Sequence, residues 1–154
     1  FITIVTRDRV CCFGAVSGGR LVSNEAGRMV LATWEALPSR FPNVRTDTVV
    51  VMPNHVHGIL WIDPVGVDRP LLLGTVVGAF KSTTTNEYAK GVKNRGWPPF
   101  RNALWQRNYF EHIIRTEKAC TPIREYIANN PGQWHLDEEN PSPAGQPPTN
   151  SVIP

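Results

Sequence analysis

The sequence predicts an α+β domain of the ferredoxin-like, RRM-like split βαβ kind, a mostly antiparallel sheet with helices packed on one face. Three observations lead there. Apolar-alternating or β-branched segments interleave with segments of helical period, in the order β(β)αββαβα. Between the two strongest strands, Val44–Met52 and Val56–Asp63, sits Pro53-Asn54, a turn or bulge that makes them neighbours. The length of 154 residues, 41% of them apolar, suits one core.

Phe1–Thr6 (FITIVT) alternates apolar and β-branched residues and predicts the first strand. The chain opens there, inside an apolar stretch rather than at a Met, which we read as a truncated start. Residues 13–22 hold Gly14, Gly18 and Gly19, enough turn residues for a hairpin. Ser23 or Asn24 can cap a helix to about Leu37, with Val30, Leu31, Trp34 and Leu37 on one face and Pro38 as terminator. Leu71 to Lys90 reads as a second helix despite Gly74 and Gly78, and Val92–Asn102 as a loop. Leu104–Ile114 reads as a strand with Trp105, Arg107, Tyr109, Glu111 and Ile113 on one side. A last helix runs to Asn130, because Pro131 forces its predecessor out of the helical region. Pro122 belongs in that helix's first turn or at a kink. The domain is expected to span residues 1–136. Residues 137–154, acidic and then Pro-rich, are expected to form a disordered tail.

Charge and cysteine usage exclude several classes. With 19% charged and 9% aromatic residues the chain is not disordered as a whole. No apolar run approaches the roughly 18 residues that a membrane helix needs. Three cysteines without a C-x-x-C argue against a disulfide framework or a cysteine zinc cage, and for a reducing cytoplasmic compartment. The formal charge is +3, and setting aside Asp137, Glu138 and Glu139 leaves +6 on residues 1–136. Between Lys81 and Arg107 six basic residues (Lys81, Lys90, Lys93, Arg95, Arg101, Arg107) face Glu87 alone. Such a stretch can neutralise nucleic-acid phosphates, or simply be a solvated face.

His55-Val56-His57 is the sharpest local feature. On a strand, residues i and i+2 share a face, so two imidazoles project together about 6.5–7 Å apart. That spacing lets both nitrogens meet one metal ion, and it equally serves two satisfied histidines on an open sheet face. Tyr126 and Asn130 lie four apart at a helix end and share a face. Asn130 offers an amide oxygen suited to a hard cation, and Tyr126 a phenol that can become a nucleophile beside a metal or base. A half-buried tyrosine with a capping asparagine has the same pattern. Tyr88 and Tyr109 are the other candidate nucleophiles, Tyr109 fitting packing or base stacking better.

Taken together, VVVMPNHVHGILWI (Val49–Ile62), AFKS (Ala79–Ser82), LWQRNYFEHIIRTE (Leu104–Glu117) and REYIANNPGQW (Arg124–Trp134) resemble the REP-associated tyrosine transposases of the HUH endonuclease superfamily. Single-tyrosine transposases of small insertion sequences belong to the same superfamily. WEALPSRFPNV (Trp34–Val44) looks similar too, so the resemblance runs over roughly Phe1–Trp134. It implies that His55 and His57 are metal ligands and that Tyr126 is the nucleophile. Asn130 would complete the shell around Mg2+ or Mn2+, where insertion-sequence relatives usually carry glutamine. It implies cleavage and rejoining of single-stranded DNA beside an imperfect hairpin, through a 5′-phosphotyrosine link, in the bacterial cytoplasm at the nucleoid. The acting unit would be a monomer or a homodimer that exchanges its tyrosine helices. Lys81, Lys90, Lys93, Arg95 and Arg107 are then expected to contact DNA phosphates, and Trp105, Tyr109 and Trp97 to stack bases. Two other readings remain: a catalytically silent DNA-binding relative, and a small His-metal hydrolase or oxygenase with Asp63, Glu111 or His112 as third ligand.

Overall fold

The computed structural model describes residues 1–63 and 71–141. Its main sheet holds four strands in the order β4-β5-β1-β6: β1 is Ile2–Val5, β4 Val44–Val51, β5 His55–Ile62 and β6 Phe110–Glu111. Each neighbouring pair is antiparallel, as the split βαβ arrangement requires. A hairpin of β2 (Gly14–Ser17) and β3 (Arg20–Ser23) stands apart as a second sheet. The expected tail over residues 142–154 lies outside the described residues.

Helix α1 (Glu25–Glu35) begins at Asn24, whose side chain accepts from the Gly27 N–H at 2.9 Å. It ends two residues earlier than expected. Pro38 does not stop it but sits in the first turn of the short α2 (Leu37–Arg40), where a missing N–H costs nothing. Val30 and Trp34 are buried, and Trp34 lies against Gly58 of β5, where no side chain fits. Helix α3 (Leu73–Arg95) runs five residues past its expected end and stops at Gly96, in the left-handed region at φ 71°. It passes through Gly91 because the Trp97 ring covers that position. Both helices cover one sheet face, α1 through Val30 and Trp34 and α3 through Val76, Val77 and Phe80.

Helix α4 (Glu117–Asn129) departs from the one-face expectation, because it covers the opposite face. Its Cys120 and Ile127 are buried on Ile59 of β5. Alternation explains this placement, since His55, His57, Ile59 and Trp61 share that face and leave an apolar strip beside the histidines. A register shift between Thr46 and Val49 of β4 frees Asp47 for the α4 side. Asp47 accepts from Arg124 (Nη2 2.7 Å, Nε 3.0 Å), from Trp61 Nε1 at 3.0 Å and from the Thr48 N–H. Arg124 chiefly holds the Asp47 carboxyl well below the usual carboxylate range, even against its burial. This anchor fixes α4, and therefore Tyr126, over the histidine end of β5. Pro122 falls in the second turn of α4, on its exposed side, where water can satisfy the carbonyl it leaves without a donor.

The expected strand Leu104–Ile114 shrinks to β6 and one isolated bridge, Thr6 to Trp105. The Gln106 N–H still donates to the Val5 carbonyl of β1 at 2.9 Å, but the carbonyls of Gln106, Arg107 and Asn108 accept from Lys81 Nζ at 2.9, 3.2 and 3.0 Å rather than from a neighbouring strand.

Candidate active site

The turn Pro53-Asn54 delivers His55 and His57 at the start of β5, buried at 0% and 4% exposure. Their rings lie 4.4 Å apart between centroids. Each ring is held from behind through Nδ1: His55 by Asn54 Oδ1 at 2.9 Å, His57 by Thr3 Oγ1 at 2.8 Å. Thr3 stands across from His57 in the β1–β5 register. The Nε2 atoms are thus left facing α4. Trp134 tilts over His55, and Phe1 stacks on His57.

Tyr126 and Asn130 meet this pair, as helix spacing suggested. The Tyr126 hydroxyl lies 3.4 Å from His57 Nε2, on a residue 44% exposed at the mouth of a cavity of about 480 Å3. Asn130 is buried at the start of the 3-10 segment Asn130–Leu136. The sequence reading did not anticipate the next partner. Asp137, assigned there to the tail, turns back into the site. Its Oδ2 is 3.7 Å from His55 Nε2, 4.0 Å from His57 Nε2 and 3.1 Å from the Asn130 Nδ2 that donates to it. The Glu139 N–H donates to Asp137 Oδ1 at 2.8 Å, and Glu139 itself pairs with Arg9 at 2.7 Å. The ordered body therefore extends past residue 136. The acidic run 137–139 was the available signal, masked by the proline-rich sequence after it.

The electrostatics point one way. Burial above all, then neighbouring His57, lowers His55 to about 3, so its imidazole is neutral at neutral pH. Burial alone would raise Asp137, but His57, the Glu139 N–H, His55 and Asn130 hold it down at about 2. Burial first, then Asp137 and Glu138, raises the Tyr126 phenol against a small opposing effect from Asn130. In this cluster, among the described residues, the buried His55 Nε2 and Asn130 Oδ1 have no hydrogen-bond partner. Orphaned buried acceptors are costly, and a cation would satisfy both. Among the described residues, His55, His57 and Asp137 can bring ligand atoms within 4.8 Å of one another. Donors about 4 Å apart lie roughly 2.3 Å or a little more from a common point, so a small inward shift would bring each to the roughly 2.0–2.2 Å of a bound ion. The residues present fit a divalent metal.

The candidate third ligands of the hydrolase reading go elsewhere. Asp63 pairs with Arg45 at 3.1 Å, while Glu111 and His112 stay exposed at the β6 edge. The DNA-contact expectations divide. Trp105 is 5% exposed and donates to Thr84 Oγ1 at 2.8 Å, so its ring offers no face to a base. Lys81 is spent on the three carbonyls, and Tyr109 lies half-buried beneath its Nζ. Lys90 is exposed and paired with Glu87 at 2.6 Å. Lys93, Arg95 and Arg107 are exposed, with the Arg95 guanidinium over Trp97. Tyr88 is fully buried beside Cys12, and burial pushes its phenol up, which removes it as a nucleophile. Cys11, Cys12 and Cys120 are all free thiols, and no helix among the described residues is long and apolar enough to cross a membrane.

Comparison with known proteins agrees with this architecture. Residues 40–130 match the family model for IS200-like transposases. An uncharacterised Haemophilus influenzae protein is 36% identical over 155 residues, covering 90% of this chain and 82% of its own length. A crystal structure of a candidate transposase from Deinococcus radiodurans R1 aligns with a TM-score of 0.51 at 18% identity, covering 83% of this chain and 86% of that one. At that identity the likeness speaks for the fold.

Proposed function

This chain belongs to the IS200-like transposase family, and we propose that it cleaves and rejoins single-stranded DNA beside an imperfect hairpin by transesterification at Tyr126. The supporting observation is the Tyr126 hydroxyl 3.4 Å from His57 Nε2, beside a cluster with two orphaned buried acceptors. His55, His57, Asn130 and Asp137 would hold a divalent cation. Two imidazoles favour Mn2+ on affinity, whereas the oxygen donors suit Mg2+. When bound, the ion polarises a non-bridging phosphate oxygen and offsets the phenolate and transition-state charge that the acidic surroundings oppose.

Tyr126 Oη attacks the scissile phosphorus in line, the P–O3′ bond breaks, and the departing 3′ oxygen takes up a proton as the phenol loses one. The product is a 5′-phosphotyrosine and a free 3′-OH. One phosphodiester replaces another, so a DNA 3′-OH can later attack the link and join strands without ATP. An activated water would discard that stored linkage, which is why a tyrosine suits strand transfer. The acting unit would be a monomer using its own Tyr126 or a homodimer that exchanges its tyrosine helices. Lys93, Arg95 and Arg107, exposed, remain suited to the DNA backbone. A DNA substrate places the protein in the bacterial cytoplasm, at the nucleoid.

Incubation with single-stranded hairpin oligonucleotide and Mn2+ should yield an SDS-stable protein–DNA adduct. Tyr126→Phe should abolish it, while Tyr88→Phe and Tyr109→Phe retain it. An adduct that survives in Tyr126→Phe refutes the assignment.

A further inference from the structure

Asn54, in the turn between β4 and β5, is fully buried and spends its whole amide on three partners. Its Nδ2 donates to the Arg9 carbonyl at 3.0 Å and to the Glu139 carbonyl at 2.6 Å, while its Oδ1 lies 2.9 Å from His55 Nδ1. A carbonyl only accepts, so the two carbonyls fix which end of the amide carries the hydrogens. The oxygen must therefore face His55, and an oxygen there requires the proton on Nδ1. His55 is left with a bare Nε2, the same atom that is buried, has no partner and lies 3.7 Å from Asp137 Oδ2. The opposite tautomer would set two lone pairs against each other in a buried site and turn an N–H toward the cation position. His57 differs, because the Thr3 hydroxyl behind it can donate or accept and dictates nothing.

We infer that Asn54 is a positioning residue that locks His55 in the Nδ1–H tautomer. Through the other end of the same amide it latches the segment carrying Asp137, so that a nitrogen and a carboxylate donor are delivered to one point together. The inference rests on the reading that His55 and Asp137 hold a divalent cation. Outer partners of this kind typically change metal affinity 10–100-fold when removed.

The test uses the full chain, free of metal and labelled with 15N-histidine. Long-range 1H–15N correlation spectra at neutral pH should show His55 protonated on Nδ1 and bare on Nε2. Asn54→Asp, whose carboxylate still accepts from Nδ1, should keep that tautomer. Asn54→Ala should lose it, with Mn2+ affinity by titration calorimetry weakened about 10–100-fold. Arg9→Ala, which removes only the side-chain tie to Glu139, should leave the tautomer unchanged. A wild-type His55 protonated on Nε2 overturns the inference even if the alanine variant does not fold. So does an Asn54→Ala protein that keeps both the tautomer and the Mn2+ affinity within twofold. The spectra need neither DNA nor cleavage, so a failed Tyr126 adduct and a failed tautomer assignment are separate results.

Discussion

Lys81→Met separates a structural lysine from a DNA-binding one. The substitution keeps most of the apolar stem and removes the ammonium, leaving the carbonyls of Gln106, Arg107 and Asn108 without their shared donor. Hydrogen bonds to a charged group contribute about 1.5–3 kcal/mol each when buried. The two longer-numbered carbonyls lie on the exposed side, where water replaces the lost donor, so a total of about 2–3 kcal/mol is reasonable. In a domain of this size that corresponds to a fall in Tm of roughly 4–12 °C. Circular-dichroism melting measures the fall, with Lys93→Met as an exposed control expected to change little. DNA affinity followed across a salt series supplies the second readout. A lysine on a phosphate contributes about one unit to the slope of log affinity against log salt, and Lys81→Met should leave that slope unchanged. An unchanged Tm with a slope reduced by about one would refute the reasoning and return Lys81 to the DNA surface.

Gly58→Ala would press a methyl group into the buried Trp34 ring and should cost about 1–3 kcal/mol, read as a lower urea midpoint; an unchanged midpoint contradicts the packing. Metal-free stability should fall as pH drops from about 6.5 toward 3. His55 folds with its pKa lowered to about 3, so the unfolded chain binds the extra proton in that window and stability is complete only above it. Asp137, lowered to about 2, adds a loss of the same sign below about pH 4. A Tm flat from pH 7 to 4.5, or a slope that His55→Asn does not reduce, contradicts this. Asp137→Asn should weaken Mn2+ binding about tenfold or more by removing ligand charge, and unaltered binding would take Asp137 out of the ligand set.

The sheet and the histidine pair were legible because each rests on local pattern. Alternation in 55–62 sets both imidazoles on one face, and the four-residue spacing of Tyr126 and Asn130 sets them on one helix face. Four features were not legible, because each depends on a long-range partner. Lys81 takes up the carbonyls of 106–108 that a regular strand would have offered its neighbour, and is thereby lost as a phosphate contact. Trp105 reads as a stacking residue until Thr84, buried on α3, takes its N–H. Asp137 follows a Pro-Gly step and precedes a proline-rich stretch, so composition placed it in a tail, although Arg9, Asn54 and Asn130 draw its segment into the site. The second helix-covered face was missed for a similar reason, since the Asp47–Arg124 anchor forms across 77 residues.

Peptide mapping of the protein–DNA adduct by mass spectrometry puts the chemistry to its most direct trial. The chain has three tyrosines, so the residue that retains a nucleotide after nuclease digestion is identified without ambiguity. The account predicts a 5′-phosphoryl mass on the peptide containing Tyr126, formed only when a divalent cation is added. A nucleotide on Tyr88 or Tyr109, or cleavage to a free 5′-phosphate with no protein-bound nucleotide, would contradict it.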